Sequence, residues 1–442
     1  MEFTGIRMQI GEVLKTHNIE FKEVSPSAIK KVYMKVIKIF DDIPDIREKT
    51  KIVYTLDSLI LMIFLATLCG SDACTEYEIF WKHNHKLYKK IFGMELIPSH
   101  DTFRRILGLI DSEILNTIIV SAIESSDATL RKVMKVPKPK MVHICVDGKE
   151  ERSTGREDTM HGEQKRRQIL NFYECNNETC LRTDPIDEKT NEIPHAQKIL
   201  SGMDLRNTVI SADALHTQVK TAGIIADKKG DYLFGLKGNQ KTLYETTISI
   251  FSEERLKNLH GTKDYCYNKE IAHGQLEERE YYLYLLTPSL KKTVFADWKK
   301  VNAVVYYKKH TIKNLSGEEN EEIRYYLTSL KDVNDAALII RNHWSVENKL
   351  HWNLDTVLGE DMMALTDKTA VANKSIINKM CLALYSRIQQ MTEKKERISK
   401  RSMRKGFGWA FEDMMKQALI MLDPAALKKC LTITTKKLNF RF

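Results

Sequence analysis

The chain lacks any run that would span a bilayer. Its longest apolar stretch, Leu59 to Cys69, is too short and follows Asp57, so it is expected as a buried helix. It shows no leading apolar segment of the secretory kind, and its eight cysteines are scattered through 442 residues. A disulfide scaffold is therefore excluded, and a reducing, cytoplasmic setting without membrane attachment is expected. Cys69 with Cys74 and Cys175 with Cys180 are the close pairs. Neither has a second Cys or His pair at a spacing that closes a four-ligand zinc site, so these thiols are expected to be buried and idle. Internal repeats, low-complexity segments and a clear helix-turn-helix are missing as well.

What is present is apolar residue in quantity, 43% of the chain, enough for two or three domains with their own cores. Lys and Arg number 69 against 59 Asp and Glu, a formal net charge of +10. From Asp367 to Phe442 there are 17 basic and 6 acidic residues, a surplus of 11 that covers the whole net charge. Lys394, Lys395, Arg397, Lys400, Arg401, Arg404 and Lys405 make a density suited to a polyanion such as nucleic acid, the alternative being a solvated helical face. The interleaved Phe407, Trp409 and Phe411 are spaced to pack a small helical core rather than to stack on bases.

Residues 1–135 read as mainly helical, with helices at 56–68, 76–92 and 101–110, and Pro137 and Pro139 mark a linker over 132–140. From Met141 the pattern changes. A strand at 142–146 ends on Asp147-Gly148, and strands at 168–174 and 179–184 follow. Next come a helix at 193–201, a strand at 208–211 before Asp213, a helix at 217–228, and a strand at 232–236 that runs into Lys237-Gly238-Asn239-Gln240. Three antiparallel strands followed by alternating helix and strand predict an α/β fold, a mixed sheet covered by helices as in the ribonuclease H-like core. Strand-rich sequence at 277–286, 301–312 and 324–328 reads as a β-rich insertion. The expected division is a helical N-terminal domain at 1–135, core at 141–242, insertion at 243–330, a core helix within 331–366 and a basic helical C-terminal region at 367–442.

After the insertion, Arg341 to Asp355 packs acids, imidazoles, indoles and carboxamides onto what reads as one helix. Val333, Ala337, Ile340, Trp344 and Leu350 recur at helical spacing, which places Glu347, Asn348, His351 and Asp355 on a common face. In such a fold Asp147, Asp213 and Glu347 converge at one sheet edge. Converging carboxylates repel unless a cation neutralises them, and their hard oxygens suit Mg²⁺ or Mn²⁺. Two such ions roughly 3.5–4 Å apart serve phosphoryl transfer. Taken singly, the same residues also read as a strand-end turn, a helix cap and a surface acid.

Several blocks, in order, carry a resemblance. They are Pro98 to Arg105, Val146-Asp147-Gly148-Lys149, Asp187 to Ile193, Ala212 to Gln218, Asp231 to Gln240, His273 to Arg279, the Glu347 helix and Gly359-Glu360-Asp361. Together they resemble the DDE transposases of insertion sequences, specifically the H-repeat-associated (ISAs-type) group, over most of the chain. The resemblance implies that Asp147, Asp213 and Glu347 form the DDE triad, binding a pair of Mg²⁺ or Mn²⁺ ions in a DNA-cleaving and strand-transferring enzyme. Tyr, Arg and Lys, which in other relatives bracket the Glu, are replaced here by Ile340, His343 and Leu354. Lys237, Asn239, Arg341, His343 and Asn348 are the candidate DNA contacts near the site, with Lys400, Arg401, Arg404 and Lys405 in the tail. The implied partner is double-stranded DNA, element ends and target, bound by a homodimer at the nucleoid. A non-catalytic DNA-binding regulator and a nuclease without strand transfer are the alternatives.

Overall fold

The computed structural model describes residues 19–21, 35–134, 139–158, 162–164, 166–186, 192–272, 274–313, 316–390, 397–409, 418–419, 422–425 and 431–433. The linker residues 135–138, the block at 187–191, His273, Lys394, Lys395 and Phe411 lie outside them.

The first helix, α1 (Leu56–Leu68), is apolar on every side and is buried on every side, as such a helix must be. It is followed by α2 (Cys74–His83), α3 (His85–Phe92), α4 (His100–Leu109) and α5 (Ser112–Met134). The single helix expected at 76–92 breaks at Asn84, whose side-chain amide bonds the Phe80 carbonyl (2.8 Å). Much later in the chain, α12 (Lys368–Gln390) packs against α1, α4 and α5, with the short helix α13 (Lys400–Trp409) beside it. Phe64, Trp81, Phe103, Ile119, Ile377, Tyr385 and Phe407 belong to one apolar cluster. The segments at the two ends of the chain thus share a core, each fully buried large side chain contributing about 1.5–3 kcal/mol. Polar residues of α12 finish the earlier helices. Asn373 donates to the Leu107 and Ile110 carbonyls (both 2.8 Å) at the end of α4, and Tyr385 to the Leu68 carbonyl (2.6 Å) at the end of α1.

The strands are β1 (Val142–Glu151), β2 (Arg167–Glu174), β3 (Thr179–Ile186), β4 (Thr208–Ala212) and β5 (Asp231–Leu236). Helices α6 (Glu192–Gly202) and α7 (Val219–Asp227) precede β4 and β5. Beyond β5 come α8 (Lys241–Ile250) and α9 (Glu253–Leu259), then β6 (Tyr265–Ala272), β7 (Gln275–Leu285), β8 (Ala303–Lys313) and β9 (Glu319–Thr328). These nine strands form one mixed sheet in the order β3-β2-β1-β4-β5-β9-β8-β7-β6. β1, β4 and β5 run parallel to one another, and their outer neighbours pair antiparallel. The strand-rich segment read as an insertion therefore extends the core sheet, through Leu233 to Leu236 of β5 paired with Tyr325 to Thr328 of β9. Its strand β6 and its helices α8 and α9 lacked a clear pattern in the sequence.

Two expectations need correction. β1 does not end at Val146: its pairing with β4 stops there, at Ala212, but its pairing with β2 runs on to Glu151. The helix read through Arg341 to Asp355 is interrupted. It comprises α10 (Val333–His343), a π-helical turn at Val346–His351, and α11 (Trp352–Thr356), the Trp352 N–H bonding the Glu347 carbonyl five residues back. Such turns insert one extra residue and re-aim the side chains around them.

Candidate active site

Asp147 pairs with Asn171 of β2 on one side, and on the other it is the first β1 residue past the end of the parallel β4. Asp213 follows β4 directly and caps a single helical turn, its Oδ1 accepting from the N–H groups of Leu215 (3.0 Å) and His216 (3.4 Å). That loop is braced from the end of β5. Asn239 Nδ2 donates to the Ala214 carbonyl (2.6 Å), Gln240 Nε2 to the Thr217 carbonyl (3.0 Å), and Thr217 Oγ1 to the Gly235 carbonyl (2.6 Å). Glu347 lies on the π turn with its side chain exposed.

These elements bring their charges together at Asp147. Burial, then the charges of Asp213, Glu347 and Glu192, push its carboxyl up to about 7. Glu192, at the start of α6, is a fourth acid that single-residue reasoning passed over, although its block was among the resemblances. It lies 3.4 Å from His216 Nε2 and directly over Gly148, where a Cβ would stand 2.6 Å from Glu192 Oε1. Gly148 is thus a clearance inside a strand, not the turn that Asp-Gly suggested. Among the described residues the ligand atoms of His143, Cys145 and Cys175 lie within 4.8 Å of one another, and Asp147, Asp213 and Glu347 are set more widely. An all-oxygen donor set with a carboxyl held this far above its ordinary range fits a hard divalent cation.

His351 Nδ1 sits 3.6 Å from Asp147 Oδ2, and its Nε2 lies 3.4 Å from Asn171 Nδ2. Burial, then the charges of Lys379 and Lys149, hold this imidazole down at about 3, so it stands neutral beside the acids. Asp355, the last acid on that side, turns to Lys149 Nζ (2.8 Å). The Lys149 ammonium is buried and also meets Glu151 (3.1 Å), Glu360 (3.2 Å) and Asp361 (3.8 Å). Burial and the charge of Glu360 push Glu151 up, while Glu360 is held low against burial by Lys149 and Lys379. This explains two resemblance blocks at once, since Lys149 of the first is the counter-ion of Glu360 and Asp361 of the last.

Of the proposed DNA contacts, Lys237, Asn348, Arg401 and Lys405 are exposed. Asn239 is exposed but spends its amide on the Asp213 loop. Arg341 is exposed and paired with Glu270 (2.8 Å). Three others are corrected. His343 points inward, its Nδ1 2.9 Å from Ser211 Oγ, and burial holds it down at about 3, neutral. Lys400 is buried on Glu178 (3.1 Å), which also takes Lys349 (2.8 Å). Arg404 is buried, paired with Asp72 and donating to the Thr67 carbonyl (3.3 Å) at the end of α1. The reason is helical periodicity: Lys400, Met403, Arg404 and Phe407 form the packed face of α13. Lys374, Lys379 and Arg387 are buried too, so part of the C-terminal charge surplus holds the fold together.

Comparison with known proteins places this geometry. Residues 138–384 match the family described as Transposase DDE domain, and residues 37–122 match its companion, DDE_Tnp_1-associated. A relative from Escherichia coli O157:H7, "Putative transposase YncI", is 30% identical over 77% of this chain and 85% of its own length. The "H repeat-associated putative transposase YhhI" of Escherichia coli strain K12 is 28% identical over 74% of this chain and 84% of its own. Among solved structures, a piggyBac transposase synaptic complex with hairpin DNA aligns over 89% of this chain and 81% of its own at 10% identity, with a TM-score of 0.38, too low to argue from. With the family match spanning both the helical segment and the sheet that gathers the acids, the chain belongs to the DDE transposases, in the group of the H-repeat-associated proteins.

Proposed function

We propose that this DDE transposase binds the ends of its own insertion sequence, hydrolyses a phosphodiester there to free a 3′ hydroxyl, and directs that hydroxyl at target DNA. The observation that carries the reading is the convergence on Asp147 of acids from three other elements, whose charges add to burial in raising its carboxyl to about 7. The strand order β3-β2-β1-β4-β5 with helices between the later strands supports a ribonuclease H-like core, in which acids at the ends of the central strands work together.

Asp147, Asp213 and Glu347 would hold one or two Mg²⁺ or Mn²⁺ ions. When bound, such ions activate the attacking oxygen and neutralise the leaving one. The rest falls to the chain itself. Asn239 and Gln240 fix the loop that presents Asp213. His351, neutral and beside Asp147, offers a hydrogen bond without adding charge. Lys237, exposed at the end of β5 next to that loop, and Arg341 are the candidates for the phosphate beside the scissile bond. Double-stranded DNA is the partner, and pairing two element ends calls for a dimer on DNA, in the cytoplasm at the nucleoid.

The test is incubation with a labelled duplex carrying the gene's own flanking ends, with Mg²⁺ or Mn²⁺ against chelator, comparing wild type with Glu347→Gln. Metal-dependent nicking at the element boundary, lost in the variant while binding persists, is the expected result. Binding without cleavage in both proteins would replace this reading with a regulatory one, and nicking without joining to target would replace it with a nuclease.

A further inference from the structure

The strand that carries Asp147 presents two other side chains on the same face, His143 and Cys145, at two-residue spacing. Cys175, just past the end of β2, stands opposite His143, its N–H bonding the His143 carbonyl (2.9 Å). Cys145 Sγ lies 3.0 Å from Cys175 Sγ and 3.5 Å from His143 Nε2, and all three side chains are buried. Ser211 Oγ, from the paired position on β4, is 2.7 Å from His143 Nε2, 3.3 Å from Cys145 Sγ and 2.9 Å from His343 Nδ1. Two sulfurs and the His143 imidazole therefore surround one small volume under α10, and the His343 imidazole stands behind Ser211 at its edge. None of them takes part in the acid site, and the two cysteines lie 30 positions apart in the chain, which hides the cluster from any reading of close pairs.

We propose that His143, Cys145 and Cys175 bind one thiophilic divalent cation of the zinc class, with His343 as the fourth donor once the Ser211 hydroxyl turns aside. Zn–S bonds of about 2.3 Å and Zn–N bonds of about 2.0–2.1 Å set tetrahedral S···N pairs about 3.6 Å and S···S pairs about 3.8 Å apart; the 3.5 Å between Cys145 and His143 fits, and the two sulfurs, 3.0 Å apart, would open as the cation enters. Binding converts two thiols to thiolates and releases two protons to solvent, and the two thiolate charges balance the cation in a dry site. Soft sulfur and imidazole select against Mg²⁺ and Mn²⁺, so this site and the carboxylates two residues along β1 take different ions. The cation would tie β1 and the end of β2 to α10, and so fix the elements that present Asp147 and Glu347.

The experiment needs no DNA and is independent of the catalytic reading. Full-length protein, reduced and stripped with chelator, is titrated with Co²⁺ and then Zn²⁺. One equivalent of Co²⁺ is expected to give tetrahedral d–d bands with a thiolate charge-transfer band, displaced by Zn²⁺, and to raise Tm. Cys145→Ser and Cys175→Ser should abolish the charge-transfer band, while Cys266→Ser, outside the cluster, should keep it. His343→Ala, which spares both thiols, should weaken Zn²⁺ at least tenfold even where a thiol variant fails to fold. Folded, reduced wild type that gives no charge-transfer band overturns the proposal.

Discussion

Around Lys149 four carboxylates, Glu151, Asp355, Glu360 and Asp361, gather on a buried ammonium, whereas around Asp147, two residues earlier on the same strand, the neighbours are Asp213, Glu347, Glu192 and a neutral imidazole. The two clusters share a face of β1, the first taking Asp355 from α11 and the second Glu347 and His351 from the π turn just before it. They differ in where the positive charge comes from. At Lys149 the chain supplies it, with Lys379 adding to the field that holds Glu360 low. At Asp147 burial, and after it the repulsion of the neighbouring acids, raises the carboxyl. The fold buries a counter-ion at Lys149, whereas Asp147 has three acids and a neutral imidazole around it, and that contrast supports the hard metal ion proposed there.

Breaking the acid cluster should have the largest effect. Glu347→Gln or Asp147→Asn is expected to lower strand cleavage by about 10³-fold or more, the loss of several kcal/mol of transition-state stabilisation, with DNA affinity changed little. Gel assays of nicking and of mobility shift on the same preparation separate the two. A folded variant that loses both together would mean that the acids serve binding rather than chemistry. Breaking the neighbouring cluster should act on stability instead. Lys149→Met leaves buried carboxylates without their cation and is expected to cost about 3–5 kcal/mol in urea unfolding. Adding Glu360→Gln should recover part of it, since one charge fewer then lacks a partner. Equal midpoints for wild type and Lys149→Met would remove the distinction between the clusters.

The contrast was only half legible in the sequence. Strand alternation and the helices between strands fixed the order of β1 to β5, and the three acids stood out because each follows a strand or lies on the unusual Arg341 to Asp355 segment. Lys149 and Glu360 were visible as motif residues, but their ion pair spans 211 positions, and no local pattern encodes it. The π turn was illegible because its residues keep helical spacing. Glu192 is an ordinary acid in the first turn of α6 by sequence, and only its placement over Gly148 gives it away. Lys400 and Arg404 misled because composition counts charges without saying which face of α13 they occupy.

A smaller effect sharpens the comparison through pH. In metal-free protein the Asp147 carboxyl is raised from 3.8 to about 7, so between those values the folded state binds a proton that the unfolded chain has released. Stability from this group therefore falls as pH rises from about 4 to 7. Because the side chain is partly exposed, about 1–2 kcal/mol is a fair expectation after solvent screening. Urea midpoints of wild type minus Asp147→Asn, followed across that range in chelator, should show the decline. Saturating Mg²⁺ should flatten it, since a cation held by the carboxylates binds the ionised form. A difference that rises with pH would mean that Asp147 is stabilised, not repelled, by its surroundings.

The smallest effect concerns the basic helix α13, where the same comparison of supplied and unsupplied partners runs in reverse. Lys400 and Arg404 already have Glu178 and Asp72, whereas Arg401 and Lys405 face solvent. A cation that contacts a phosphate releases counterions, and each such contact contributes about 0.9 to the slope of log affinity against log salt. Arg401→Ala and Lys405→Ala are thus expected to reduce that slope by up to about one each, with stability changed by no more than about 0.5 kcal/mol. Lys400→Met should leave the slope alone, because its ammonium is already spent on Glu178, and should register in unfolding instead. A slope indifferent to Arg401 and Lys405 would take α13 out of the DNA interface and make the whole C-terminal charge surplus a matter of folding.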